Sequence, residues 1–118
     1  MDAAQKLRTI VRKPLLTATL DSLKTTQRVE IKQIDFVPGQ ATGAHSHPCP
    51  VVGYIVRGSV RFQVEGEPPK LLHAGDAFFE PPHKTMLHFD NASDTDPMTF
   101  IAFYLLDATD HELIHMLE

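Results

Sequence analysis

The 118-residue sequence predicts an all-β fold, a sandwich or a barrel, followed by a short C-terminal helix. Turn signals recur about every eight to twelve residues, among them Pro38-Gly39, Arg57-Gly58, Gly66 to Pro69 and Pro81-Pro82. The runs between these turns are short and rich in β-branched and aromatic residues, which is typical of sandwiches and barrels. The length indicates one domain, because two domains would leave neither half enough core.

Residues 1–28 are predicted to form an N-terminal arm, in which Leu15 to Leu20 could be an edge strand exchanged with a second subunit. The first strand of the barrel begins with alternating residues at Val29 to Ile31 and ends at Asp35 to Val37. The alternation slips by one position near Lys32-Gln33, which predicts a β-bulge within this strand.

Residues 29–106 are predicted to form the barrel itself. Apolar and polar residues alternate from Val60 to Val64, which predicts a strand with one buried and one solvated face. Val51 to Val56 and Phe100 to Leu106 are nearly all apolar, as in strands that are covered on both faces.

Residues 107–118 are predicted to form the C-terminal helix. Thr109 to Glu112 has the pattern of a capping box, with Thr109 as the N-cap. His111 to His115 also matches the H-E-x-x-H pattern of zinc proteases, in which both histidines share a helix face. We favour a solvated helix over a protease site, because a terminal helix on a small barrel supplies no walled cleft for a catalytic metal.

Two histidines, His45 and His47, stand one residue apart ahead of an apolar strand. Because strand side chains alternate between faces, residues i and i+2 point the same way, and both imidazoles are expected to face the same space. Two converging imidazoles form half of a metal site or the polar corner of a ligand pocket.

The spacing of Gly39, His45, His47 and Gly58 resembles the first sequence motif of the cupin superfamily, commonly written G-x5-H-x-H-x3,4-E-x6-G. Gly75 and Pro81 match positions of its second motif. The resemblance covers roughly residues 29–106. It implies a cupin-type jelly-roll β-barrel or sandwich, and it implies a homodimer.

In such cupins two histidines and a glutamate of the first motif, with a histidine of the second, bind one divalent metal ion. Here Val51 stands at the glutamate position and Met86 at the position of the last histidine. His88 has the strand parity of Met86, so the predicted metal ligands are His45, His47 and His88. Imidazole suits Zn, Fe, Ni, Mn and Cu, and the sequence does not choose among them. The alternative is a site that has lost its metal and keeps its histidines as pocket lining.

The resemblance also implies a pocket beside these histidines. The predicted pocket residues are Val51, Tyr54, Phe62, Glu80 and Met86. Glu80 could replace the missing glutamate as a ligand or base if its side chain turns inward. More often, an acid at the end of a strand binds a backbone amide of the next turn, so both interpretations stay open.

Composition excludes several partners. A net charge of −4 with no basic run argues against nucleic acid, and no apolar stretch approaches the ~20 residues of a membrane span. The single Cys49 and the lack of a leader-like N-terminus predict a cytoplasmic protein.

Three functional hypotheses follow. The preferred one is a small cupin that binds a divalent metal, a small organic ligand, or both, with no assigned reaction. The second is a metal-dependent enzyme, a dioxygenase, decarboxylase or isomerase, acting on a small organic acid or phenol. The third is a metal-free ligand-binding or sensor module. A homodimer is expected for each, because an arm added to the partner's sheet would cover an open sheet edge.

Overall fold

A computed structural model describes residues 10–117, which contain nine strands and no helix. The strands in chain order are β1 (Arg28–Phe36), β2 (His45–Ser46), β3 (Val51–Arg57), β4 (Ser59–Val64), β5 (Lys70–His73), β6 (Ala77–Glu80), β7 (Met86–Asn91), β8 (Met98–Leu106) and β9 (His115–Met116). The all-β class is therefore as predicted from the alternating runs and the regular turns.

The strands form two antiparallel sheets. One has the order β1-β8-β3-β6 and the other has the order β5-β4-β7-β2-β9. No strand pairing joins the two sheets within residues 10–117, so the described molecule is an open sandwich and not a closed barrel. The chain passes from one sheet to the other at Gly58, between β3 and β4, where φ is +85° and a side chain would meet the carbonyl of Pro97.

The core lies between the two sheets and is dominated by aromatic rings. Alternate residues of β4 and β8 are buried, in keeping with their alternating or apolar sequences. Five phenylalanines meet in edge-to-face or tilted pairs, with ring centroids 4.6 to 6.4 Å apart. They are Phe36, Phe62, Phe78, Phe89 and Phe100. Such pairs stabilise a core beyond the burial of their surface.

The predicted bulge near Lys32-Gln33 is absent. β1 pairs with β8 in unbroken register from Arg28 opposite Leu106 to Phe36 opposite Met98. The apparent slip in the sequence arises because the outward residues Val29 and Ile31 are apolar although they are exposed. The register shifts lie elsewhere, in β3 after Ile55 and between β4 and β7 beside Gln63.

The predicted C-terminal helix is wrong for the described residues 107–117. The Asp107 carboxylate accepts hydrogen bonds from the backbone N–H groups of Thr109 and Asp110, which closes a tight turn at the expected helix start. His115-Met116 then pairs with β2 as strand β9. A helix of so few residues is only marginally stable by itself. Pairing with β2 therefore stabilises the extended conformation in its place.

The arm from residue 10 to 27 runs without a strand of its own, so Leu15 to Leu20 add no edge strand to these two sheets. Leu15 and Leu16 lie in a shallow groove with Val52 and Phe103, on the outer face of the first sheet. Exchange of this arm with a second subunit stays a prediction. No helix of the described residues is long and apolar enough to cross a membrane.

Gly53 provides a test of how closely residues of adjacent strands pack within the first sheet. It lies in the central strand β3, opposite Phe78 of β6, and a Cβ atom here would collide with the Phe78 ring and the carbonyl oxygen of Ile101. We expect Gly53→Ala to lower the free energy of unfolding by about 1–3 kcal/mol, as overpacking does. Gln33→Ala, on the exposed face of β1, should change it by less than about 0.5 kcal/mol. Urea denaturation measures both, and equal effects would contradict the packing described.

Candidate metal centre

Three side chains converge between the sheets: His45, His47 and Glu80. His45 lies in β2, opposite Met86 of the second sheet, and His47 follows directly. Glu80 ends β6 of the first sheet, where it pairs with Val51 of β3. The group is therefore held from both sheets, and its geometry depends on how the two sheets pack.

The three side chains are almost fully buried, with exposed fractions of 2% for His45, 4% for His47 and 3% for Glu80. The Nε2 atom of His47 lies 2.5 Å from Oε2 of Glu80, and Nε2 of His45 lies 3.8 Å from Oε1. One possible ligand atom from each residue lies within 4.8 Å of the others. The imidazole planes are nearly perpendicular, with centroids 5.0 Å apart.

Backbone carbonyls fix the orientation of both rings. Nδ1 of His45 lies 2.9 Å from the carbonyl oxygen of Gly43, and Nδ1 of His47 lies 2.6 Å from that of Leu113. Because a carbonyl only accepts, each ring donates its Nδ1–H group. In the neutral imidazoles, both Nε2 lone pairs therefore face the Glu80 carboxylate.

The electrostatics of the group show two opposing effects. Burial disfavours the charged form of His45, but the hydrogen bond and the charge of Glu80 outweigh it, and the pKa of His45 lies above its ordinary value of 6.5. Burial likewise disfavours the Glu80 carboxylate, yet its contacts with His45 and His47 outweigh burial and hold its pKa below 4.5. The Glu80 carboxylate thus stays ionised at neutral pH although it is buried.

This set of donors fits a divalent metal ion. Two imidazole nitrogens and a carboxylate are a known three-ligand set of zinc and non-haem iron sites. In such sites the outer imidazole nitrogen typically donates to a carbonyl or carboxylate, as both rings do here. The structure therefore supplies a group that could hold a metal, while it does not determine which metal.

His88 lies apart from this group. β7 carries one extra residue relative to β4, because Phe89 is opposite Phe62 and His88 is opposite Gln63, but Met86 is opposite Val64. This β-bulge removes the parity that would have turned His88 inward with Met86. Its Nδ1 atom instead lies 2.8 Å from Oδ2 of Asp90, and its side chain is about one-third exposed.

The other predicted pocket residues take different places. Val51 borders the cavity beside the histidines. Met86 is fully buried as the cross-strand neighbour of His45, and Phe62 packs in the aromatic core. Tyr54 lies on the outer face of the first sheet with 39% of its surface exposed. Glu80 turns inward, which is the less common of the two orientations considered for it.

A cavity of about 280 Å³ adjoins the three donors. Its apolar wall consists of Phe36, Val51, Phe78, Phe89, Phe100 and Ala102. Three larger depressions, of about 370, 460 and 550 Å³, contain none of the three donor residues. We take the smaller cavity as the candidate ligand site, because it combines an apolar wall with convergent polar groups.

Sequence reasoning missed three residues that contribute to this site. The backbone carbonyl of Leu113 accepts a hydrogen bond from His47, and Ile114 lines the cavity. Both lie near the site because strand β9, which follows them, pairs with β2. A backbone contact leaves no residue-type signal. Tyr104 also borders the cavity, beside the ring of His47. The alternation of β8 could have found it, since Phe100, Ala102 and Tyr104 share one face.

Comparison with known families gives one match. The family model described as "Cupin domain" matches residues 33–104. A search of curated proteins finds no match.

Many solved structures are similar to this chain in fold. DMSP lyase DddQ from Ruegeria pomeroyi DSS-3 has a TM-score of 0.64 and 22% identity, over 75% of this chain and 42% of that one. An oxalate oxidase in complex with the substrate analogue glycolate has a TM-score of 0.63 and 20% identity, over 75% and 46%. An RmlC-like cupin from Shewanella frigidimarina NCIMB 400 has a TM-score of 0.58 and 28% identity, over 71% of both chains. The chain thus spans less than half the length of the first two proteins, which share its fold.

The buried pair predicts a pH dependence of metal-free protein. Because the pKa of Glu80 is lowered in the folded protein, its ionisation stabilises the fold fully above pH 4.5, and this stabilisation is lost as the pH falls through the pKa of the folded state. Because the pKa of His45 is raised in the folded protein, its protonation stabilises the fold fully below pH 6.5, and this stabilisation is lost as the pH rises through the pKa of the folded state. The pair should therefore stabilise the chelator-treated protein most between pH 4.5 and 6.5.

Glu80→Gln provides the comparison, since it removes the charge and keeps the shape. The difference in free energy of unfolding between the wild type and this variant, measured in urea across the pH range, should peak in that window. A difference that does not vary with pH would contradict the charge interaction.

Proposed function

The chain belongs to the cupin family, and we propose that it binds one divalent transition metal ion through His45, His47 and Glu80, together with a small organic molecule beside it. The metal would be Zn, Fe, Ni, Mn or Cu, since all accept imidazole ligands. Glu80 takes the place predicted for His88, because the carboxylate and not the third imidazole lies next to the pair.

One observation carries this proposal: two Nε2 lone pairs and an ionised carboxylate face one another in a buried space. The Nδ1–H group of each imidazole donates a hydrogen bond to a backbone carbonyl, so neither ring can turn away without breaking that bond. Converging acceptors repel one another unless a cation lies between them. A proton shared within the group satisfies part of this requirement, and a divalent cation would satisfy all of it.

An enzyme is the second candidate, and the open side of the donor group favours it. Three protein ligands leave coordination positions for water or substrate, and the cavity adjoins them. When bound, the metal would act as a Lewis acid or activate oxygen, as in a dioxygenase, decarboxylase or isomerase. The DMSP lyase and the oxalate oxidase are enzymes of this fold, but at 22% and 20% identity their activities do not transfer.

The metal assay decides between these functions and a metal-free sensor. Untagged protein should contain about one transition metal ion per chain by elemental analysis. Glu80→Gln and His47→Ala should each lower the content at least tenfold, because each removes a donor from a three-ligand set. Circular dichroism should show that both variants stay folded.

His88→Ala is the matched control, since it removes an imidazole 35% exposed and outside the group. It should leave the metal content unchanged. Loss of metal from His88→Ala, with full content in Glu80→Gln, would overturn the ligand set. Metal-free wild type, with no stabilisation when zinc is added, would favour the sensor.

The proposal includes a homodimer in the cytoplasm. The nearly apolar sequences of β3 and β8 predict strands that are buried on both faces. In the single chain, however, the outer faces of β1 and β3 are partly exposed. The exposed apolar residues there are Val29, Ile31, Tyr54 and Val56. They lie on β1 and β3, which flank β8 in one sheet, and a second copy of the chain would cover them.

A charge on this face should break the dimer. Ile31→Lys puts an ammonium group on β1 opposite Phe103, where the wild-type side chain is 62% exposed. We expect light scattering at micromolar concentration to show a dimer for the wild type and a monomer for this variant. Leu71→Lys makes the same change on the outer face of the other sheet and should leave the dimer intact. A monomeric wild type would end the homodimer proposal.

A further inference from the structure

Resting on the metal-binding function proposed above, we propose that the cavity binds an uncharged ligand of one aromatic ring bearing a hydroxyl group, such as a phenol, in preference to a small carboxylic acid. The ring would lie among the phenylalanines, and the hydroxyl group would face His45, His47 and Glu80.

The size of the cavity sets the first limit. A volume of about 280 Å³ is nearly twice that of the ~150 Å³ cavities known to hold benzene. One substituted aromatic ring therefore fits. The mouth of the cavity lies at Ile34, Thr42 and Ile114, which are the partly exposed residues of its lining.

The wall sets the second limit. Phe78, Phe89 and Phe100 present ring edges and faces, and their centroids lie 4.6 to 5.9 Å apart in tilted or edge-to-face pairs. An aromatic ligand extends this arrangement with the same favourable geometry. A two- or three-carbon acid would leave most of the wall without contacts, so packing would contribute little to its affinity.

Charge sets the third limit. Among residues 10–117, the cavity lining contains no lysine and no arginine, and the buried Glu80 already supplies one negative charge. Small carboxylates are typically held by arginine in a two-point contact, which this cavity does not offer. A dicarboxylate would add two further negative charges to a space with only the metal to balance them.

Tyr104 is the residue that would select for the hydroxyl group. It borders the cavity with its ring 6.0 Å from that of His47, and the described residues supply no hydrogen-bond partner for its phenol oxygen. A phenol group both donates and accepts hydrogen bonds. That of Tyr104 can donate to a ligand oxygen on the side of the three donors.

The test is a titration of zinc-loaded and chelator-treated protein with 4-fluorophenol, followed by fluorine NMR, with cyclohexanol and glycolate each added as a competitor that displaces it. We expect 4-fluorophenol to bind roughly tenfold more tightly than glycolate and about two- to tenfold more tightly than cyclohexanol. Tyr104→Phe should weaken phenol binding about three- to tenfold and leave zinc content unchanged.

Ala102→Val is a second variant that acts through shape alone. Ala102 faces the cavity between Phe100 and Tyr104, so two added methyl groups should fill part of the space. Phenol affinity should fall at least fivefold, with zinc content unchanged; Val52→Ala, on the outer face of the same sheet, should have no effect.

The possible failures are distinct. Protein that binds zinc but prefers glycolate, or whose phenol affinity is unaffected by Ala102→Val, would overturn this inference and leave the metal site standing. Protein that binds no zinc, but binds phenol in a way that Ala102→Val weakens, would overturn the metal proposal and keep the ligand class.

Discussion

A negative charge in an apolar interior is the constraint on which the centre of this molecule depends. The Glu80 carboxylate is 3% exposed and lies among phenylalanine rings, where an unpaired ion would cost several kcal/mol. A proton shared with the two imidazoles reduces that cost, and sharing requires that their Nε2 atoms point at the carboxylate. The carbonyls of Gly43 and Leu113 impose that orientation. The outer hydrogen bonds thus orient the imidazoles toward the carboxylate, and a metal ion bound between them would supply the balancing positive charge.

The packing of the two sheets sets the distances between the three donor side chains. The histidines come from the sheet that contains β2 and β7, and the carboxylate comes from the sheet that contains β3 and β6. Movement of one sheet against the other would change the separation of the donors directly. The phenylalanine rings that interlock between the two sheets resist such movement, since well-packed interiors deform little. The rigidity of the core and the geometry of the centre therefore have the same physical origin.

Sequence periodicity predicted the all-β class and the inward strands, because burial forces alternation on any strand with one wet face. The spacing of His45 and His47 predicted their convergence for the same reason. The features that escaped prediction involve partners distant in sequence. The helix expected from Thr109 gave way to pairing with β2, which local propensity does not register. The inward turn of Glu80 depends on the two histidines that neutralise it, and they lie more than 30 residues earlier in the chain.

The β-bulge in β7 has a consequence for how such a centre changes during evolution. It places Phe89 and Asn91 toward the interior, where an uninterrupted strand starting from Met86 would have placed His88 and Asp90. One extra residue therefore exchanges two titratable side chains at the interior face for Phe89 and Asn91 without altering the identity of any side chain. Small insertions and deletions in this strand, more than point substitutions, would switch descendants of a common ancestor between many-ligand and few-ligand centres.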